Sequence, residues 1–511
     1  MDNLLVLLFA ALPFIAVAVL VLLAVAGVGV GLVWPRVPAY GYLALLFCTN
    51  STSYGALATT SSPGIYSRGS GQLLFPVLLW CMAGAWCCTR GAAGFRRQPV
   101  PPCSLRPWFL GWGALLGGHV AVAAFTGVTL AQALAPSGFS NVVWMAPLVG
   151  LLLLSFGTRE HALELARFIL LAGCGRALFG LARWAFLGGD PNNVYANMND
   201  INVKLTFFDI NDSLLGTVAC AIAAINLLRA GAARPAPFWR ALDWVTLGTT
   251  AACIVLSYRR TAWIGFVLAL AVVALRCPPR RRIALLLLGA PVVGAGLVAA
   301  AVRRLGHTHG AGGGLSSLFY DMASTRTGAQ SERVLELHYA LADFLAHPLT
   351  GIGAWGRYAG YRQIAWQAGE DGGLFLHSGV LHIALKAGLP GLVLLGGTIW
   401  AFTRAARQAG RTLPPDLLAL ATAGAAGLAF MLPDLLVGTP FPQVRTTQML
   451  AVCLALPYVA LAAARARSTD EQTTHEQATH EQPARKQTVH GRPMRPVAAA
   501  RLCDHAAGEQ P

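Results

Sequence analysis

Long apolar runs recur along the chain from Leu4 to Ala463, with short polar connections between them. A helix needs about 20 mostly apolar residues to cross a bilayer, and fewer if it packs inside a bundle. A run at 39–58 is apolar enough to be a further, thirteenth span, but polar residues interrupt it and twelve spans are preferred. The pattern predicts an all-α, polytopic membrane protein with about twelve transmembrane helices. They are expected at 3–33, 72–89, 108–132, 141–157, 168–187, 212–228, 243–258, 262–276, 283–302, 374–403, 416–432 and 446–463.

The composition agrees with this pattern and excludes soluble classes. Hydrophobic residues make up 55% of the chain, charged residues 12%, and the mean hydropathy is +0.56. A soluble protein has about a quarter of its residues charged. The net charge of +16 comes largely from arginines between the apolar runs, so no nucleic-acid partner is predicted. Most of the 11 cysteines lie within apolar runs, without metal-ligand spacing, so neither a metal site nor a disulfide framework is expected.

Arginines are concentrated in alternate connections, and this alternation predicts the orientation in the membrane. The arginine-rich set is 90–106, 159–167, 229–240, 276–282 and 404–411. By the positive-inside rule this set and both termini are cytoplasmic. The outward set is then 133–140, 188–211, 257–261, 303–373 and 433–445.

Two domains follow from this layout. The first is a membrane domain over 1–463, which carries a large outer loop at 303–373. The second is a cytoplasmic tail over 464–511, which is polar, contains a near-repeat of Thr-His-Glu-Gln and is expected to be disordered.

The outward turn Ser-Tyr-Arg-Arg-Thr-Ala-Trp at 257–263 breaks the charge bias, because it places Arg259 and Arg260 on the arginine-poor side. A guanidinium matches phosphate geometry. The pair is therefore interpreted as a clamp on an anionic lipid headgroup or a diphosphate, with a solvated basic turn as the alternative.

A second polar group opens the span at 212 with Asp209, Asn211 and Asp212. These side chains either cap the helix N-terminus or contribute to a site on the acceptor side, and both interpretations stay open. Lys204 lies just before them, where it joins the anion site or extends to the membrane interface.

The outer loop contains a third group. Apolar residues at Val334, Leu337, Leu341 and Phe344 predict an amphipathic helix that lies over the bundle through this face. Further along, His377 begins the next span and is expected at its outer mouth. An imidazole there is suited to general-base catalysis, and a structural role is the alternative.

These segments, in this order, resemble the bacterial O-antigen ligase and polysaccharide polymerase superfamily. The resemblance covers roughly residues 190–460. The matching pieces are Phe-Asp-Ile-Asn-Asp-Ser at 208–213, the arginine turn at 257–263, Arg333 with its helix and the following His-Pro-Leu-Thr-Gly-Ile-Gly at 347–353, and His-Ser-Gly-Val-Leu at 377–381 with Gly-Leu-Pro-Gly at 388–391. The chain departs from the family pattern in having Ser378 where Asn is usual and two arginines in the turn where one is typical.

The resemblance implies a GT-C-like, inner-membrane glycosyltransferase that acts at the periplasmic face. Such enzymes transfer a glycan from undecaprenyl diphosphate to an acceptor glycan or lipid A core, without nucleotide sugar, metal or other cofactor. It implies that His377 is the catalytic base and that Arg260, Arg259, Arg333 and Lys204 contact the donor diphosphate. The implied partners are the lipid-linked glycan, membrane lipid and other polysaccharide-assembly proteins. Polymerase is slightly preferred to ligase, and a polysaccharide exporter or lipid-linked oligosaccharide flippase is the competing class.

Overall fold

The computed structural model of the chain describes residues 29–48, 71–186, 209–229, 236–257, 259–284, 287, 289–306, 332–364 and 376–487. These residues form helices and connecting turns, with no β-strand among them, as the all-α prediction requires. The helices in the first half are α1 (Arg36–Cys48), α2 (Gly71–Phe95), α3 (Arg106–Phe125), α4 (Leu130–Ala133), α5 (Ser140–Val143), α6 (Met145–Ser155), α7 (Arg159–Phe186) and α8 (Ile210–Arg229). Those in the second half are α9 (Pro237–Leu256), α10 (Arg260–Arg276), α11 (Pro279–Ala284), α12 (Ala290–Gly306), α13 (Glu332–Ala346), α14 (Gly379–Thr412), α15 (Pro415–Val437) and α16 (Val444–Gln487).

Six of these helices are long and apolar enough to cross a membrane. They are α3, α7, α14, α15, the part of α8 from Ile210 to Leu228, and the part of α16 from Val444 to Ala466. Each span predicted from residue 72 onward coincides with one or two helices. The multi-pass architecture is therefore confirmed, but the number twelve is not, since α10 is only 17 residues long and the first predicted span lies mainly outside the described residues.

The apolar run at 39–58, which is the possible thirteenth span, begins in a helix that is part of the core. Ala39, Leu43 and Phe47 of α1 are buried against the rest of the bundle. Residues 49–70, the rest of this run and the connection after it, lie outside the described part of the chain.

The centre of the bundle is α8, which is almost entirely buried and packs against α7, α9, α10 and α15. Small residues permit the close approach that membrane helices need. Gly265 of α10, for example, contacts α15 so closely that a Cβ there would overlap the carbonyl group of Phe430.

The two predicted sets of connections gather at opposite ends of this bundle. At one end the arginine-rich connections meet: Arg276 Nη2 donates to the Ala406 carbonyl at 2.8 Å, and Arg159 pairs with Asp416 at 2.7 Å. We call this the arginine end. We call the other end, where α8, α10, α14 and α16 begin, the site end. Helices α10, α14 and α15 run from one end to the other, so the alternation read from the sequence corresponds to a spatial separation.

The chain divides into two units, Met1–Ala464 and Arg465–Pro511. The sequence predicts disorder from 464 onward, yet α16 continues to Gln487. Ala, Glu, Gln and Arg in this stretch favour helix intrinsically, which explains helix without an apolar face. Residues 488–511 lie outside the described part of the chain.

Candidate active site

A buried ion-pair network fixes the start of α8 at the site end. Asp209 Oδ1 accepts hydrogen bonds from the backbone N–H groups of Asn211 and Asp212, both at 2.8 Å, so it caps the helix. Arg445, at the start of α16, pairs with Asp209 at 3.3 Å and with Asp212 at 2.9 Å. All three charged side chains are almost completely buried. Asp209 therefore caps the N-terminus of α8, which is one of the two roles considered from the sequence. Asp212 forms an ion pair with Arg445.

The same network holds the end of α1. Arg445 donates to the carbonyl oxygens of Leu46 and Phe47, and Arg176 of α7 donates to that of Cys48 at 3.3 Å. Arg176 also pairs with Asp212 at 3.0 Å. Because the last carbonyls of a helix lack partners within it, the two arginines complete the C-terminus of α1 and join it to α7, α8 and α16.

The arginine turn lies between α9 and α10. Arg259 occupies the N-cap position of α10, and Arg260 is the first residue of that helix. Both side chains are partly exposed. Arg259 and Asp209 lie close enough to Asp434, in the last turn of α15, to act on its carboxyl group electrostatically. The turn therefore belongs to the same end of the bundle as the α8 network.

His377 lies directly before α14, with 22% of its side chain exposed. Its Nδ1 is 2.9 Å from the carboxyl group of Glu336 in α13, whose side chain is fully buried. Burial, followed by the charge of Glu336, raises the pKa of Tyr358 above its ordinary value, so this neighbouring phenol stays neutral. The contact with the carboxyl group holds the imidazole ring in one orientation through Nδ1.

Ser378, the residue that departs from the family pattern, is the N-cap residue of α14. Its side chain caps α14 by accepting from the backbone N–H of Leu381 at 3.3 Å. The next residue, Gly379, packs so tightly on Pro440 and on the last turn of α15 that a Cβ would overlap the Pro440 ring. This contact holds the start of α14, which His377 precedes, against the last turn of α15.

The outer helix α13 turns only part of its predicted apolar face toward the bundle. Val334 and Leu341, expected against the bundle, are 49% and 45% exposed. The buried face instead carries Glu336 and Ala340, over a small core formed by Ala340, Tyr358, Ile364, Leu376 and Leu385. The prediction of an amphipathic helix over the bundle is confirmed, and Leu337 packs against this core. Apolar periodicity does not by itself distinguish a core-facing side chain from an exposed one, as Val334 and Leu341 show.

Two glycine motifs interlock rather than form a ligand-binding loop. Helix α14 is kinked at Gly388, where φ is +63°. The 347–353 segment enters this kink: Leu389 N–H donates to the Pro348 carbonyl and Ile352 N–H to the Leu385 carbonyl, both at 2.8 Å. A Cβ at Gly388 would meet the backbone of Leu349. The glycines therefore permit two backbones to approach closely, which anchors the outer segment on α14.

Two further polar side chains of α14 are fully buried below His377. His382 Nε2 is 2.9 Å from the Gly138 carbonyl oxygen, and Lys386 Nζ donates to the carbonyl of Gly356. They tie the 133–140 connection and the outer segment to the spanning helix. His382 is thus a structural histidine, in contrast to the partly exposed His377.

The structure brings together most of the residues that the sequence singled out. His377, Arg259, Asp209, Asn211 and Asp212 all lie at the site end, as does Arg260. Arg333 is partly buried in the first turn of α13, and Lys204 lies outside the described residues. Within the described ranges, no group of three or more His, Cys, Asp or Glu side chains is arranged to hold a metal ion.

Sequence reasoning missed four charged residues of this end: Glu336, Asp434, Arg445 and Arg176. A signal was available for Arg445, which is an arginine in an outward connection and meets the criterion that selected Arg259 and Arg260. Asp434 is an acid at the edge of a predicted span. Nothing in the local pattern distinguishes Glu336 from a solvated acid, since its partner is 41 positions away.

Residues 245–396 match the family model described as O-antigen ligase. Over this segment the chain is related to the O-antigen ligase superfamily. The match covers under a third of the chain, and it includes Arg259, Arg260, Arg333, Glu336 and His377. Comparison with curated proteins finds no match.

The O-antigen ligase match indicates glycan ligase or polymerase activity in general terms, and the family acts on lipid-linked glycans. The buried network of Asp209, Arg176 and Arg445 lies outside the matched segment. The match therefore concerns the histidine and the arginine turn, whereas the network is a feature of the surrounding bundle.

Proposed function

We propose that this chain is an inner-membrane glycosyltransferase that moves a glycan from undecaprenyl diphosphate to an acceptor sugar at the periplasmic face. The observation that carries the proposal is the contact of His377 with the buried carboxyl group of Glu336. This pair lies at the end of the bundle that also holds Arg259 and Arg260. An oriented base near cations is what transfer from a lipid diphosphate requires.

In the proposed reaction His377 Nε2 accepts the proton of the acceptor hydroxyl. The acceptor oxygen attacks the anomeric carbon of the donor sugar while the bond from that carbon to the diphosphate breaks. The electron pair of the broken bond leaves with the diphosphate, and direct displacement inverts the anomeric centre. A positioned base of this kind contributes about 10²–10⁴-fold to the rate.

Cations are needed for the leaving diphosphate, since negative charge develops on it as the bond breaks. Arg260 is the first choice and Arg259 the second, since both are partly exposed at the start of α10. Arg333 and Lys204 are further candidates for the donor diphosphate. Arg333 begins the helix that carries Glu336, which supports a position near the same substrate. No metal or cofactor has a role in this scheme.

The periplasmic assignment rests on arginine placement. The arginine end carries Arg276, Arg404, Arg407 and Arg411, and by the positive-inside rule it faces the cytoplasm. The site end then faces the periplasm, where lipid-linked glycans are assembled by the related family.

An exporter or flippase is the alternative class. Such a protein is expected to line a path across the membrane with polar groups. Asp209 and Asp212 instead pair with Arg445 in a buried network at one end of the bundle, which favours an enzyme acting at that face.

The direct test uses the purified chain in vesicles with undecaprenyl-diphosphate-linked glycan and an acceptor glycan. We expect transfer by the unchanged chain and loss of about 10²–10⁴-fold in His377→Gln, which retains donor binding but has no proton-accepting nitrogen. Near-normal transfer by His377→Gln would remove the catalytic assignment. Transport of the lipid-linked glycan without any transfer would favour the flippase.

Polymerase and ligase differ in the acceptor, so they are separated in cells. Glycan analysis of a strain that lacks the gene gives single repeat units on the carrier if the chain is a polymerase. It gives finished polymer that remains on the carrier if the chain is a ligase for lipid A core.

A further inference from the structure

Helix α13 presents apolar side chains on the face that points away from the bundle. Val334, Leu341 and Leu345 are 49%, 45% and 65% exposed, and their spacing of seven and four residues puts them on one side of the helix. Leu349, just after the helix, is 69% exposed. We call these four residues the exposed stripe.

The exposed stripe continues into the outer surface of a spanning helix. Leu349 belongs to the segment that enters the kink of α14, where the N–H of Leu389 donates to the Pro348 carbonyl at 2.8 Å. On α14 the next apolar side chains, Leu389 and Val393, are 44% and 63% exposed. Because α14 is a candidate membrane span, these two side chains belong to its lipid-facing surface.

The position of the kink along α14 indicates the depth of the exposed stripe relative to the hydrocarbon core of the membrane. Arg404 is the first arginine of α14 at the arginine end. A hydrocarbon core takes about 20 helical residues, so counting back from Arg404 reaches the other boundary near residue 384. The kink at Gly388 and the attached Leu349 are therefore at this boundary.

We infer that α13 is an interfacial helix, whose exposed stripe is seated on the acyl chains of the bilayer leaflet at the site end. Helices of this type lie in the membrane plane with an apolar face turned to lipid. The occupant is bulk phospholipid, because the stripe is continuous with a surface that phospholipid already covers.

One consequence rests on the proposed function. The opposite face of α13 carries Glu336, which contacts His377. Contact with the bilayer would then stabilise the position of the helix that orients the base. It would also keep His377 at a constant distance from the leaflet that contains the donor.

The test uses a benzophenone amino acid in place of Leu345 in the full-length chain. The purified protein is reconstituted in vesicles of phosphatidylethanolamine and phosphatidylglycerol, with no polyprenyl lipid, and is irradiated. The matched control carries the same probe in place of Arg362, which is exposed on the polar turn Tyr361–Gln363 of the same outer segment. The same probe in place of Leu341 is a second test position, in case the substitution at Leu345 alters the helix locally.

We expect phospholipid adducts at Leu345 and Leu341 in at least about tenfold excess over Arg362. Equal yields at the three positions would overturn the inference, as would adducts that map to a peptide of the same chain or of a second copy. The yield does not depend on turnover. An inactive protein that gives the expected adducts would contradict the proposed function and leave the interfacial helix intact.

Discussion

The carboxyl group of Glu336 lies 2.9 Å from Nδ1 of His377, although 41 positions separate the two residues. The outer segment therefore supplies a side chain that fixes the ring of a histidine on a spanning helix. The carboxyl group is fully buried and the imidazole is 22% exposed, so the pair has an inner carboxyl group and an outer ring that solvent reaches.

Replacing Glu336 by Gln should lower the turnover of glycan transfer by about 10–100-fold, the usual loss when an outer carboxyl group that orients a functional histidine is removed. Donor binding should be unchanged. The measurement is turnover and donor affinity of the purified protein in vesicles. In the double variant Glu336→Gln, His377→Gln the loss should match that of His377→Gln alone, because the two residues act as one unit.

Asp343→Asn is the matched control for Glu336. This carboxyl group is also on α13, but it accepts a hydrogen bond from the backbone of Ala359 rather than contacting the histidine. Asp343→Asn should retain turnover. If both variants lose the same activity, the effect belongs to the stability of α13, and the orienting role of Glu336 is wrong.

Removing Arg445 should destabilise the protein strongly. Arg445→Ala leaves Asp209 and Asp212 buried without their shared partner and also exposes the end of α1. Removing one partner of a buried ion pair lowers the free energy of unfolding by about 3–5 kcal/mol. The measurement is thermal unfolding in detergent, with Arg159→Ala as the control.

Arg159 pairs with Asp416 at 2.7 Å, but their side chains are 46% and 29% exposed, and such surface pairs contribute about 0–1 kcal/mol. A small shift of the unfolding midpoint is expected for Arg159→Ala. An equally small shift for Arg445→Ala would mean that water or other groups replace the guanidinium easily.

The helices were predictable from the sequence, because apolar runs of bilayer length have few alternatives. The two ends were predictable as well, since arginine placement alternates along the chain. The candidate site residues Arg259, Arg260 and His377 were found because they are charged or polar residues at positions where the outward connections and spans otherwise carry few such groups. What the sequence did not provide is the pairing, such as Asp209 with Arg445 or Glu336 with His377, because those partners are far apart in the chain.

The orientation of α13 shows a physical limit of pattern reading. In a soluble protein the apolar stripe of a helix faces the core. At a membrane both the core and the lipid are apolar, so Val334 and Leu341 do not specify which of them they face. Here a buried carboxyl group, that of Glu336, lies on the core side.

Gly388→Ala should loosen the outer segment from α14. Alanine disfavours the left-handed φ of +63°, and its Cβ would meet the backbone of Leu349. We expect a lower unfolding midpoint and faster proteolysis of the outer segment, with transfer reduced because Glu336 is carried by that segment. Gly396→Ala, in the same helix with open space around its Cα, should be neutral or slightly stabilising. Equal behaviour of the two variants would contradict the interlocking role of Gly388.

The membrane topology is tested with reporter fusions that distinguish the periplasm from the cytoplasm. A reporter fused near Arg357 in the outer segment, or at Gly312 in the same predicted loop, should read as periplasmic. Reporters near Arg281 or Arg407 should read as cytoplasmic, because the arginine-rich connections are retained inside. A cytoplasmic signal from Arg357 would reverse the orientation and move the whole site end to the other face.

The last prediction separates the two arginines of the turn. Arg260→Ala should weaken donor binding and transfer strongly, and Arg260→Lys should restore them only in part, because an ammonium group cannot form the two parallel hydrogen bonds of a guanidinium with phosphate. Arg259 acts electrostatically on the carboxyl group of Asp434, so we expect Arg259→Ala to change mainly the stability and to resemble Asp434→Asn in its unfolding midpoint. The measurements are donor affinity in vesicles and thermal unfolding for all four variants. Full activity of both Arg260 variants, with donor affinity lost instead in Arg259→Ala, would assign the diphosphate contact to Arg259. Activity retained in all of them would make the turn a solvated basic connection.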